Sequence, residues 1–158
     1  MLDYRMVINK IYLSLRCVLM AALLIITDCH ATDLDIEGRE MFKILHDEQS
    51  WPLPKEYPQY TLGITDDAPL VCKKSGRACY SNGRIWISRE LLDNDMMRKS
   101  VILHENVHHL QQEKSGPVVT CIQNWKREID AYHAQQTYLS DHYRIFLGLT
   151  VSIFCLPE

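Results

Sequence analysis

Residues 101–111 read Val-Ile-Leu-His-Glu-Asn-Val-His-His-Leu-Gln (VILHENVHHLQ), and this stretch decides the fold. Its apolar residues recur at helical spacing, which predicts one long, largely buried helix. His104 and His108 stand at positions i and i+4, so their imidazoles project from one face about a turn apart. That separation allows both to bind a single tetrahedral zinc ion. Glu105, rotated by about 100°, can reach a metal-bound water as general base without ligating the metal.

A third ligand is predicted on the following helix. A catalytic zinc site needs three protein ligands and one open position. Ser115-Gly116-Pro117 predicts a helix stop, so an antiparallel second helix would bring Glu128 back to the level of the histidines. Tyr132, at i+4 from Glu128, falls on the same face of that helix. It is a candidate donor to the oxyanion of a tetrahedral intermediate.

Each of these assignments has a simpler alternative. The two histidines could be ordinary core or surface residues, and Glu105 would then be a solvated carboxylate. Tyr132 could be a packing residue. Glu128 could instead form an ion pair with Lys126 or Arg127. Asp130 or His133 could then replace it as the metal ligand.

The fold class predicted from the remaining segments is α+β and mainly α, with a small antiparallel sheet. Period-2 runs and turn residues predict about three strands within residues 60–88, and the Asn82-Gly83 pair predicts a hairpin. An extended linker should cover 51–58, where prolines recur. The candidate strands are 60–65, 70–72, 78–80 and 84–88, and the candidate helices are 33–48, 96–114 capped by Asp95, and 119–141, before a final apolar segment at 145–155.

The N-terminus differs in kind from the rest. Basic residues precede the uncharged apolar run 17–27, and Ala31 follows as a small residue at a plausible cleavage site. This pattern predicts a signal peptide over residues 1–31 and a single secreted or periplasmic domain over residues 32–158. The run is shorter than a membrane-spanning helix, which needs about 18–20 apolar residues. An uncleaved N-terminal anchor is the alternative, and it would be the only contact with a membrane.

The predicted export changes how the cysteines are interpreted. Without the leader, Cys72, Cys79, Cys121 and Cys155 remain, and an even number in an exported chain favours two disulfides. Cys72 and Cys79 flank a segment of turn composition and are predicted to pair with each other. Cys121 then pairs with Cys155. Free buried thiols are the alternative.

The motif and the downstream glutamate resemble one group of enzymes. His104-Glu105-x-x-His108 followed by Glu128 is similar to the gluzincin metallopeptidases, the thermolysin-like group whose third zinc ligand is a helix-borne glutamate. The resemblance covers residues 101–132. It implies a zincin-like core, a zinc ion, and hydrolysis of peptide bonds in a peptide or protein that lies along an edge strand. The candidate for that strand is 84–88.

The sequence therefore predicts a secreted or periplasmic zinc metallopeptidase. A zinc-stabilised interaction module without turnover is the alternative from another class, since a structural metal helps a short chain to fold. A metal-free exported protein is the third possibility. The formal net charge of -3 and the scattered basic residues exclude the charged surface that binds nucleic acid.

Overall fold

The computed structural model describes residues 33–64, 66 and 68–148. The predicted signal peptide or anchor at 1–31 and the segment 149–155 of the last apolar run lie outside the described residues. Within the described part, no helix is both long and apolar enough to cross a membrane. The elements in chain order are α1 (33–49), β1 (Gln59–Leu62), α2 (Leu70–Ser75), β2 (Ala78–Ser81), β3 (Arg84–Ile87), a 3-10 turn (Arg89–Leu91), α3 (Asp95–Ser115) and α4 (Cys121–Tyr143).

The sheet has three strands in the order β1-β3-β2. β3 is parallel to β1 and antiparallel to β2. The α+β, mainly helical class is thus confirmed, but the prediction of an antiparallel sheet is wrong because one pair of strands is parallel. The chain leaves β1 and passes through α2 and β2 before it enters β3, and parallel neighbours require such a crossover.

The β2–β3 hairpin forms where the sequence predicts it. Asn82 and Gly83 adopt φ angles of 48° and 77°, the left-handed conformations that a two-residue hairpin turn of type I′ requires. Ser81 pairs with Arg84 across this turn. The two strands therefore have a fixed register directly below the turn.

The predicted strand at 70–72 is wrong, because these residues begin helix α2. Pro69 precedes the helix, and Gly76 ends it with a φ of 81°. An apolar run this short fits either a strand or a helical turn, so its periodicity does not distinguish them. The predicted disulfide between Cys72 and Cys79 is confirmed, and it ties α2 to β2. Cys121 is disulfide-bonded as well, while its predicted partner Cys155 lies outside the described residues.

Helix α3 forms the centre of the main core. Ile102, Leu103 and Val107 are fully buried, and burying such a side chain stabilises the fold by about 1.5–3 kcal/mol. The same core includes side chains from α1, β3 and α4: Phe42, Leu45, Ile85, Ile87 and Leu139. α3 is thus packed against α1, β3 and α4.

The ends of α3 are set by local hydrogen bonds. The N-cap is Asn94, whose side chain accepts from the backbone N–H of Met97. The prediction of Asp95 as the cap is therefore wrong by one residue, since Asn and Asp cap equally well and the pattern does not choose between them. Gly116, with a φ of 73°, ends the helix as predicted. Thr120 then caps α4 by accepting from Gln123, and α4 packs along α3.

Candidate metal centre

The two motif histidines and the glutamate on α4 meet at one point. The Nε2 atoms of His104 and His108 lie 3.1 Å apart. Each carboxylate oxygen of Glu128 faces a different imidazole, with Oε2 at 3.4 Å from Nε2 of His104 and Oε1 at 3.3 Å from Nε2 of His108. Among the described residues, these three form the group that could hold a metal ion. The antiparallel return of α4 explains how residues on different helices reach the same point.

The spacing of the two histidine nitrogens suits a tetrahedral metal ion. Ligand atoms bonded to zinc at about 2.0–2.1 Å stand about 3.3–3.4 Å apart when the geometry is tetrahedral. The Nε2 atoms of His104 and His108, 3.1 Å apart, come close to that value, and with one oxygen of Glu128 the three ligand atoms lie within 4.8 Å of one another. Two imidazole nitrogens and a carboxylate are ligands for zinc and for several other divalent transition metals. His104, His108 and Glu128 could therefore hold such an ion together.

In the metal-free protein, hydrogen bonds and charge shift the pKa values of the same groups. Burial by itself raises the pKa of Glu128, but the hydrogen bonds from His104 and His108 outweigh it and hold that pKa far below its usual range. Burial lowers the pKa of His108, but the hydrogen bond to Glu128 and the charges of Glu105 and Glu128 raise it above its ordinary value overall. These shifts favour a charged His108–Glu128 pair in weakly acidic solution, and a bound cation would replace its proton.

Glu105 and Tyr132 border the three candidate ligands. Glu105 is only 7% exposed, and it lines the same cleft as the ligand side chains. The ring of Tyr132 packs edge-on against His104, with centroids 4.5 Å apart. Burial and the charges of Glu128 and Glu105 raise the pKa of Tyr132. Its hydroxyl therefore keeps its proton at neutral pH and can donate a hydrogen bond.

The site opens into a cleft of about 720 Å³ between β2, α3 and α4, within the size range typical of ligand pockets. β2 is the strand that borders this cleft and lies at the edge of the sheet. The expectation that 84–88 is the edge strand is wrong, because β3 is paired on both sides. Of the two edge strands, β1 and β2, it is β2 that borders the cleft.

The alternative assignments for α4 are not supported by the contacts. Asp130 and His133 are exposed, and neither belongs to the metal-binding group. The guanidinium of Arg127 donates to Ser115 Oγ at 2.8 Å and to the carbonyl of Gly116 at 2.7 Å. The carboxylate of Glu128 thus contacts the two histidines and not Arg127.

Two side chains that the motif does not single out hold it in place. Gln111 contacts His108 through a 3.0 Å hydrogen bond. Asn106 is fully buried and bonds to other elements of the fold. Gln111 stands at i+3 from His108, so helical spacing alone could have predicted that the two side chains are in contact. Nothing in the spacing marks Asn106, whose partners are distant in sequence.

Comparison with protein-family models, curated proteins and solved structures finds no match to this chain. Its function must therefore be inferred from the geometry and chemistry of the site.

Proposed function

We propose that this protein is a zinc metallopeptidase of the gluzincin type, with a zincin-like core and with His104, His108 and Glu128 as the zinc ligands. The observation that carries the proposal is the convergence of their ligand atoms within 4.8 Å of one another, beside a buried Glu105. The order of the ligands on two successive helices supports the assignment to this group. The substrate is a peptide or protein.

The residues around the ligands have the chemistry that peptide hydrolysis requires. Zinc, when bound by these ligands, acts as a Lewis acid and lowers the pKa of water. Glu105 takes a proton from the attacking water and delivers it to the leaving amine nitrogen. Tyr132 donates a hydrogen bond to the oxyanion of the tetrahedral intermediate. The edge of β2 pairs with the extended substrate through backbone hydrogen bonds.

The cleft favours an enzyme over a zinc-stabilised interaction module. Structural zinc sites are closed by four protein ligands, whereas catalytic sites keep one position open. The described residues offer three ligands, and these border an open cleft of about 720 Å³. The disulfide between Cys72 and Cys79 supports an oxidising compartment, in keeping with a secreted or periplasmic enzyme.

The proposal is tested by separating metal binding from hydrolysis. Glu105→Gln removes the general base but none of the ligands, so it should lower the rate of peptide-library cleavage by about 10²–10⁴-fold while the zinc content stays at the wild-type level. Glu48→Gln is the matched control on the surface, and it should cleave at the wild-type rate. Undiminished cleavage by Glu105→Gln would contradict the proposed role. Zinc binding without cleavage of any peptide would favour the interaction module.

A further inference from the structure

Gln111 makes a hydrogen bond to the back of one candidate ligand. Its Oε1 atom lies 3.0 Å from Nδ1 of His108, the ring nitrogen that does not face Glu128. Gln111 is only 7% exposed. This contact is therefore largely shielded from competing water.

The other end of the same amide fixes its orientation. Nε2 of Gln111 donates to the backbone carbonyl of Arg127 at 3.0 Å and lies 3.5 Å from Oδ2 of Asp130. A carbonyl oxygen only accepts hydrogen bonds, so the NH₂ group must face α4 and the amide oxygen must face His108. A rotated amide would set two oxygens against each other.

The orientation of the amide determines the tautomer of His108. Because Oε1 of Gln111 can only accept, Nδ1 of His108 must carry a proton. Nε2 of the neutral ring is then left with its lone pair, on the side that faces Glu128 at 3.3 Å. His104 has no such brace, since its buried Nδ1 atom has no hydrogen-bond partner among the described residues.

We infer that Gln111 is a positioning residue for the metal, which holds His108 in the tautomer and ring orientation that present Nε2 to the cation. It also connects the two ligand-bearing helices, since its amide reaches from His108 on α3 to the backbone of α4. The inference rests on the proposed function only in requiring a metal at the site. Partners of this kind contribute about 10–100-fold to metal affinity.

The test compares two substitutions in the full chain by zinc competition with a chelating indicator. Gln111→Leu removes both hydrogen bonds, and it should weaken zinc binding by about 10–100-fold. Gln111→Glu keeps an acceptor for Nδ1 of His108, but it sets its second oxygen against the Arg127 carbonyl and the Asp130 carboxylate, a cost that lowers the stability of the metal-free protein. It should bind zinc within about threefold of the wild type, which is less than the smallest loss expected on removing such a partner. Thermal unfolding of the metal-free variants is measured in parallel.

A purely structural role predicts a different pattern. If Gln111 only joins the two helices, both variants lose the bond to α4 and should show the same change in zinc affinity, and this result would overturn the inference. Wild-type affinity in Gln111→Leu would overturn it too, while leaving the proposed function intact. A wild-type protein that binds no zinc would contradict both the inference about Gln111 and the proposed function. Should Gln111→Leu fail to fold, a loss of more than about tenfold in Gln111→Glu overturns the inference on its own.

Discussion

The hydroxyl of Tyr60 donates a 2.6 Å hydrogen bond to Oδ1 of Asn106, which lies between the two histidines of the motif. The amide of Asn106 in turn donates to the carbonyl of Gly38 at 3.0 Å. A side chain at Gly38 would overlap the ring of Tyr60, so a glycine is required at this close approach. The motif helix is thereby fixed to β1 and to α1 through buried polar contacts.

Tyr60→Phe should lower the free energy of unfolding by about 1–3 kcal/mol, because it leaves the buried Oδ1 atom of Asn106 without its donor. Urea denaturation measures the change. Tyr57→Phe is the matched control, since that residue is 41% exposed, and a surface substitution should change stability by less than about 0.5 kcal/mol. Equal effects of the two substitutions would show that the buried hydrogen bond contributes nothing.

The free energy of unfolding of the metal-free protein should depend on pH because of the His108–Glu128 pair. Because the pKa of Glu128 is lower in the folded protein, this group stabilises the fold at pH values above 4.5, its pKa in the unfolded chain. This contribution is lost as the pH falls through the pKa in the folded protein. Because the pKa of His108 is higher in the folded protein, this group stabilises the fold at pH values below 6.5, its pKa in the unfolded chain. This contribution is lost as the pH rises through the pKa in the folded protein. Both contributions are complete between pH 4.5 and 6.5.

The stability difference between the wild type and Glu128→Gln should therefore be largest in that window and smaller at alkaline pH. Urea denaturation in the presence of a chelator measures it. A difference that stays constant from weakly acidic to alkaline pH would contradict the charged pair.

Removing the disulfide between Cys72 and Cys79 should lower the free energy of unfolding by about 2–3 kcal/mol, the value expected for so short a loop. The double variant Cys72→Ala/Cys79→Ala is preferable to a reductant, because Cys121 is disulfide-bonded as well. Zinc affinity should remain close to that of the wild type, since the candidate ligands lie on α3 and α4. Zinc binding that fails together with the disulfide would show that the site depends on the α2–β2 connection.

Tyr132→Phe should reduce kcat for peptide cleavage by about 10²–10³-fold, the usual cost of losing one oxyanion donor. Its ring would still pack against His104, so zinc content should not change. Steady-state kinetics on a cleaved library peptide, with zinc content measured on the same sample, checks both points. Wild-type kcat in this variant would leave Tyr132 with a packing role alone.

The sequence predicts best what helical periodicity controls. The spacing of His104 and His108, and the stop at Gly116 followed by a second helix, are local features. They suffice to bring Glu128 near the histidines, because two antiparallel helices joined by a short turn have few ways to pack. The positions of α3 and α4 follow from the same local signals.

What the sequence predicts poorly depends on contacts between distant segments. The parallel pairing of β1 with β3 is set by the crossover through α2 and β2, and no period-2 pattern reports the order of strands. The wrong choice of edge strand follows from that same gap. The hydrogen bond between Tyr60 and Asn106 likewise joins residues from separate elements, so it becomes visible only in the folded chain.

The measurement that tests the central claim most directly is the metal content of the purified protein after zinc reconstitution, by elemental analysis. The wild type should hold about one zinc ion per chain, as a single site of three protein ligands requires, and His104→Ala and Glu128→Ala should each lose it. His142→Ala and Glu48→Ala are the matched controls. These two residues form an exposed histidine–glutamate pair, with Nε2 and Oε2 2.9 Å apart, and neither belongs to the metal-binding group. Both should keep their zinc. A wild-type protein without zinc, or equal zinc in His104→Ala, would contradict the proposed metal centre.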